Sequence, residues 1–137
     1  MGRLLAIDYG LRRTGIAVSD SLRIIATPLE TVATNQLIDF LKKYCARETV
    51  DEFVMGLPKT LKNEDSQIAP EVRKFALVLE STFPGKPLHL VDERFTSSIA
   101  QRALIEGGMK KKDRQQKGNV DKVSATIILQ DFMSQLK

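Results

Sequence analysis

Leu4-Leu5-Ala6-Ile7-Asp8-Tyr9-Gly10 is the stretch from which the rest of the chain is read: an apolar run without polar alternation that ends in a carboxylate and a glycine. Such a run suits a central strand covered on both faces. On a period of two, Asp8 shares a side with Leu4 and Ala6. A carboxylate there must be paired, hydrogen-bonded or bound to a cation, because burying it alone is too costly. An Asp-x-Gly by itself marks only the turn at Tyr9-Gly10-Leu11. Its meaning depends on which other groups the fold brings to Asp8.

Outward from that strand, Leu11 to Gly15 reads as a polar connection. Ile16-Ala17-Val18 and Ile24-Ile25-Ala26 read as two further strands around a turn at Asp20-Ser21. Thr34 or Asn35 is expected to cap a helix reaching about Arg47, with Leu37, Ile38, Leu41 and Tyr44 or Cys45 at helical spacing. Phe53 to Gly56 reads as a short buried strand closed by Gly56-Leu57-Pro58. A second helix is expected from about Ser66 to Phe83, where Pro84-Gly85 stops it. Leu88 to Val91 forms a fifth strand running into Asp92-Glu93-Arg94, and His89 within it reads as a sheet-face residue. Ser98 and Gln101, at capping-box spacing, start a helix that ends at Gly107-Gly108. A last helix is expected from about Val120 to Leu136. This order predicts an α/β fold: a mixed five-stranded sheet, three antiparallel strands then two parallel ones, with helices on both faces.

The 137 residues correspond to one domain, 1–137, with enough chain for a real core. The net charge is +4, and the segment Lys110 to Lys117 alone carries that much, so the remainder is balanced. A concentrated basic segment suits a polyanionic partner. Cys45 is the only cysteine, which excludes an internal disulfide and a cysteine-built zinc site. No charged-then-apolar leader and no apolar run of about 18 residues is present, so a cytoplasmic protein with no membrane partner is expected.

Three carboxylate positions fall at element ends. In an open α/β sheet the working crevice lies beyond the carboxyl ends of the parallel strands, where Asp8 and the Asp92-Glu93 pair belong. Asp121 heads the stripe Ala125, Ile128 and Phe132 of the last helix, so it faces the sheet rather than solvent. Taken singly, each acid has a plain reading as a turn or helix-end residue. Brought together they repel unless a cation sits between them. Oxygen-only donors select Mg²⁺ or Mn²⁺, as one ion or as two about 3.5 to 4 Å apart, a pair able to clamp both oxygens of a phosphodiester displacement. Alternation alone does not choose between Asp92 and Glu93.

These residues resemble a known family. Asp8-Tyr9-Gly10 with Arg13 and Gly15, Ala17-Val18-Ser19-Asp20, Gly56-Leu57-Pro58, Asp92-Glu93-Arg94 with Thr96, and Asp121 followed by Ser124-Ala125 and Ile128-Leu129 look like the YqgF family, across essentially the whole chain. Its members are described as Holliday junction resolvases and pre-16S rRNA nucleases with a ribonuclease H-like fold. The resemblance implies a metal-dependent endonuclease, a hydrolase that trims the 5′ end of precursor 16S rRNA in ribosome biogenesis. It places Asp8, Glu93 and Asp121 in the catalytic and metal-binding positions, which selects Glu93 over Asp92. Two departures stand out: Ser124-Ala125 replaces two alanines, and the loop from Lys59 to Asp65 lacks the family's glycine.

Arg13 and Arg94 adjoin proposed catalytic acids, where a guanidinium can hold a phosphate or neutralise its neighbour. With Lys110, Lys111, Lys112, Arg114 and Lys117 they form the expected substrate-binding set. The rival readings are a resolvase acting on four-way DNA, which needs a dimer to cut two strands symmetrically, and a non-catalytic RNA-binding protein of the same fold. An actin-like ATP-binding fold also begins with Asp-x-Gly, but the chain is too short for two lobes. A monomer or weak homodimer is expected.

Overall fold

The computed structural model describes residues 2–57, 68–92 and 117–135. Its frame is a five-stranded sheet in the order β3-β2-β1-β4-β5, with β1 Arg3–Asp8, β2 Arg13–Ser19, β3 Ala26–Ala33, β4 Val50–Leu57 and β5 Leu88–Asp92. β1, β2 and β3 are antiparallel neighbours, whereas β4 pairs parallel to β1 and β5 parallel to β4. This is the expected mixed sheet. β1 occupies its centre, as four consecutive fully buried apolar residues, Leu4 to Ile7, require.

Helices cover both faces. On one side α1 (Leu37–Arg47) and α2 (Ala69–Thr82) bury Leu37, Leu41, Tyr44, Val72, Phe75 and Leu79 against Leu5, Ile7, Ile16, Phe53 and Met55. On the other, α3 (Lys117–Ser134) lays Ala125, Ile128, Leu129, Phe132 and Met133 on Leu4, Ala6, Ala17, Val54 and Val91. Odd residues of β1 therefore face α1 and α2, and even ones face α3. Cys45 packs at the margin of the first core, as expected, and burial pushes its thiol pKa up.

Several expected boundaries move, each for a local reason. Ile24 and Ile25 are not strand residues: both are 62% exposed in a loop, and β3 begins only at Ala26. Asp20 holds that loop, its Oδ1 accepting the N–H of Ile24 at 2.7 Å and of Ile25 at 2.8 Å, which takes those amides out of any ladder. β2 starts at Arg13, three residues before the expected Ile16. Thr34 caps no helix; it opens a 3-10 turn, Thr34–Gln36, and α1 starts after it at Leu37. β4 is eight residues long rather than four. α3 starts at Lys117, so Asp121 lies in its second turn and Lys117 is a helical residue, not part of the preceding loop. The helix expected near Thr96 and the loop from Pro58 lie outside the described residues.

The amino-terminal edge of the sheet is tied by charge. Arg23 reaches Glu52 at 2.8 Å and Asp51 at 3.2 Å, while Glu52 also meets His89 Nε2 at 2.9 Å. His89 lies on the α3 face of β5 with its ring 4.8 Å from that of Phe132, in keeping with its expected sheet-face position. Among the described residues no helix is long and apolar enough to cross a membrane.

Candidate active site

Asp8 is the last residue of β1, and sheet register defines what surrounds it. Across the antiparallel pair it faces Gly15 of β2. On the other side Ile7 pairs with Met55, so the next row runs from Asp8 to Gly56, and Gly56 pairs with Val91 of β5. Gly15 alternates with Ala17, Gly56 with Val54 and Asp8 with Ala6; all three partners pack under α3. The row Gly15, Asp8, Gly56, Val91 thus lies on one face, and the half-buried carboxylate has a residue without a side chain on either flank. Glycine within a strand marks a place where another group approaches closely. Neighbouring strands are about 4.8 Å apart, so β5 passes roughly 10 Å from Asp8 with only a glycine between.

Parity also sorts the residues of β5. His89 and Val91 face α3, as Asp8 does. Leu88 packs with the opposite core, and the side chain of Asp92 is outside the described part. Glu93 lies outside the described residues.

The direction of α3 follows from its other end. Gln130, Met133 and Ser134 line a groove with Ile24, Ile25 and Ala26, beside the hairpin at the amino end of β1. The first turns of α3 therefore point toward the carboxyl end of β1, where Asp8 sits. Position 121 lies in those turns, four, seven and eleven residues ahead of the buried Ala125, Ile128 and Phe132, as the stripe reading expects. The side chains of Asp121 and Lys117 are outside the described part, as are Arg94, Lys110, Lys111, Lys112 and Arg114 altogether. Arg13, the first residue of β2, is exposed at the same sheet edge as Asp8.

The turn after Asp8 is held from the opposite face. The Tyr9 ring stacks on Phe75 of α2 at 5.1 Å, and burial, helped by nearby Glu71, raises its phenol pKa, so it stays protonated at neutral pH. Thr34 Oγ1 donates to the Gly10 carbonyl at 2.6 Å and lies 2.9 Å from Thr14 Oγ1. A side chain on Gly10 would collide with the Arg13 carbonyl, which makes glycine obligatory there. The sequence reading missed Thr14, Thr34 and the flanking role of Gly15 and Gly56. Only register and tertiary contact reveal them, although glycines in otherwise apolar strands were a usable signal.

The chain is similar to known proteins over nearly its whole length. A family model described as RuvX, Holliday junction resolvase, matches residues 2–135. A protein of Amoebophilus asiaticus named "Putative pre-16S rRNA nuclease" is 49% identical over 137 residues, covering 100% of this chain and 97% of its own. A protein of Porphyromonas gingivalis with the same name is 51% identical over 133 residues, covering 97% and 96%. Among solved structures, RuvC of T. thermophilus in complex with a Holliday junction substrate superposes with a TM-score of 0.57 at 16% identity, covering 99% of this chain and 96% of that one. That likeness establishes the ribonuclease H-like fold.

Proposed function

We infer the activity from one premise: this chain belongs to the RuvX family of Holliday junction resolvases. It is a nuclease, a hydrolase acting on phosphodiester bonds. The substrate we propose is precursor 16S rRNA, cut at its 5′ end during ribosome biogenesis in the cytoplasm by a single nuclease domain, 1–137, acting as a monomer or weak homodimer. The name shared by relatives about half identical over nearly their full length supports that choice. The family description and the RuvC-like fold favour four-way DNA as the second reading.

The observation that carries the proposal is Asp8 at the carboxyl edge of β1, flanked by Gly15 and Gly56 on the face covered by α3. Asp8, Glu93 and Asp121 are the proposed catalytic and metal-binding residues. What supports Glu93 over Asp92 is the family pattern Asp92-Glu93-Arg94, together with the α3 face taken by His89 and Val91, the strand positions of the same parity as 93. What supports Asp121 is the course of α3, whose first turns point to the Asp8 edge.

An all-oxygen donor set and the glycines that flank Asp8 fit a hard divalent cation, Mg²⁺ or Mn²⁺, as one ion or two. Bound there, the cation would supply Lewis-acid polarisation of the scissile phosphate and lower the pKa of a coordinated water. Arg13 and Arg94 hold phosphate oxygens through charge-assisted hydrogen bonds. Lys110, Lys111, Lys112, Arg114 and Lys117 track the backbone, a contribution that salt weakens.

The test is cleavage of a precursor rRNA 5′ leader against a four-way DNA junction, with Mg²⁺ or Mn²⁺, for the wild type and Asp8→Asn. Cation-dependent cutting of the RNA is expected, with at least about a hundredfold loss in the variant. The cation should also raise the wild-type melting temperature. Symmetric junction cutting with the RNA intact would transfer the assignment to DNA; undiminished cleavage by Asp8→Asn would remove the site.

A further inference from the structure

We propose that Thr14 and Thr34 are positioning residues of the nuclease centre, their paired hydroxyls locking the backbone of Gly10 and thereby the aim of Asp8 and of the Arg12–Arg13 turn. The inference rests on Asp8 being a catalytic carboxylate, as proposed above.

The hydroxyls form a closed ring with a single residue, Gly10. A carbonyl only accepts, so the one proton of Thr34 Oγ1 goes to the Gly10 oxygen, 2.6 Å away. Thr14 Oγ1, at 2.9 Å, must then be the donor to Thr34. The remaining lone pairs of Thr14 accept the Gly10 N–H at 3.5 Å. Both backbone polar groups of Gly10, on the two peptide units that flank its Cα, are thus bonded by two side chains, one 4 and the other 24 residues away in sequence. The Thr34 N–H adds a bond to the Arg12 carbonyl at 2.9 Å, fastening the next part of the same turn.

The location shows what the ring controls. Thr14 is fully buried and alternates with Ile16 and Val18, so it lies on the α1 and α2 face, where Tyr9 also stacks on Phe75. Asp8 belongs to the other face. The backbone between the two, from Asp8 to Gly10, is therefore gripped from behind at successive residues, which limits the ways the carboxylate can swing. A buried threonine hydroxyl costs free energy unless bonded, and valine fits the same space. The ring gives both hydroxyls a reason to be there. Catalytic groups must be held to within about 0.5 Å, and a misplacement of about 1 Å costs up to a hundredfold in rate.

Thr34→Val removes a hydroxyl at nearly constant volume from a half-buried site, and Thr34→Ser keeps it. Cleavage of the rRNA leader, or of the junction if that is the substrate cut, should show kcat lowered about ten- to a hundredfold by valine, with KM changed by less than about threefold. Serine should restore kcat to within about threefold. The cation concentration for half-maximal rate should rise in the valine variant and return in the serine variant. Thr14→Val is the second variant if Thr34→Val does not fold, and the same pattern is expected of it against Thr14→Ser. Wild-type kcat in a folded valine variant overturns the inference, as does a serine variant no better than valine. Asp8→Asn separates the two levels. If it is inactive while valine behaves as wild type, only the positioning role falls; if it is fully active, the site assignment fails first.

Discussion

Arg23 reaches the Glu52 carboxylate at 2.8 Å from a backbone with φ of 57°, a left-handed conformation that side chains rarely adopt. The pair, with Asp51 at 3.2 Å and the Gly2 carbonyl at 3.2 Å, holds the residue in place against that strain. Left-handed backbone costs an L-residue about 1 to 2 kcal/mol and glycine almost nothing. Arg23→Ala keeps the strain and loses the partners, whereas Arg23→Gly loses the partners and relieves the strain. Denaturant melts should therefore rank wild type above Arg23→Ala, and Arg23→Gly above Arg23→Ala by about 1 kcal/mol. Equal stability of the two variants would show that the conformation carries no cost.

The glycines beside Asp8 make a second prediction. A methyl group at position 56 or 15 enters the row between the carboxylate and the neighbouring strand. Alanine suits a strand at least as well as glycine, so stability should change by less than about 1 kcal/mol. Activity should fall about tenfold or more in Gly56→Ala and further in Gly56→Val, because close approach to the carboxylate is blocked. Rates equal to wild type in Gly56→Val would mean that neither cation nor phosphate uses this space.

Asp20 provides a pH signature. Its carboxylate accepts N–H bonds chiefly from Ile25, and also from Ile24 and Leu22, which hold its pKa below the ordinary range. A folded-state pKa below the unfolded value contributes stability that is present above the unfolded pKa and is lost as pH falls through the folded one. Asp20→Asn removes that contribution. The gap in melting temperature between wild type and variant should be constant from about pH 7 to 5 and should close below about pH 4. A gap that does not vary with pH would show that the charge on Asp20 does not matter to the loop.

Ala125 tests the seating of α3. It is fully buried and shares its cluster with Ala6 and Ala17, three small residues where helix and sheet meet. Ala125→Leu should lift the helix and destabilise the protein by about 1 to 3 kcal/mol. Activity should fall by more than the loss of folded protein explains, since α3 carries position 121. An unchanged melting temperature would place slack at this interface.

Among the described residues, the order and type of the strands and long helices, the mixed sheet, the central place of β1 and the inward stripe of α3 were legible in the chain, because each rests on a period that neighbouring residues carry themselves. Long-range pairing decided the rest. Ile24-Ile25 has the composition of a strand, but the Asp20 carboxylate takes its amides; Thr34 has the chemistry of a helix cap, but its hydroxyl is committed to Gly10. Nothing local shows that Gly15 and Gly56 stand either side of Asp8, or that His89 and Val91 share its face. Those facts depend on register between strands distant in sequence, and a slip of one residue would move every side chain to the other face.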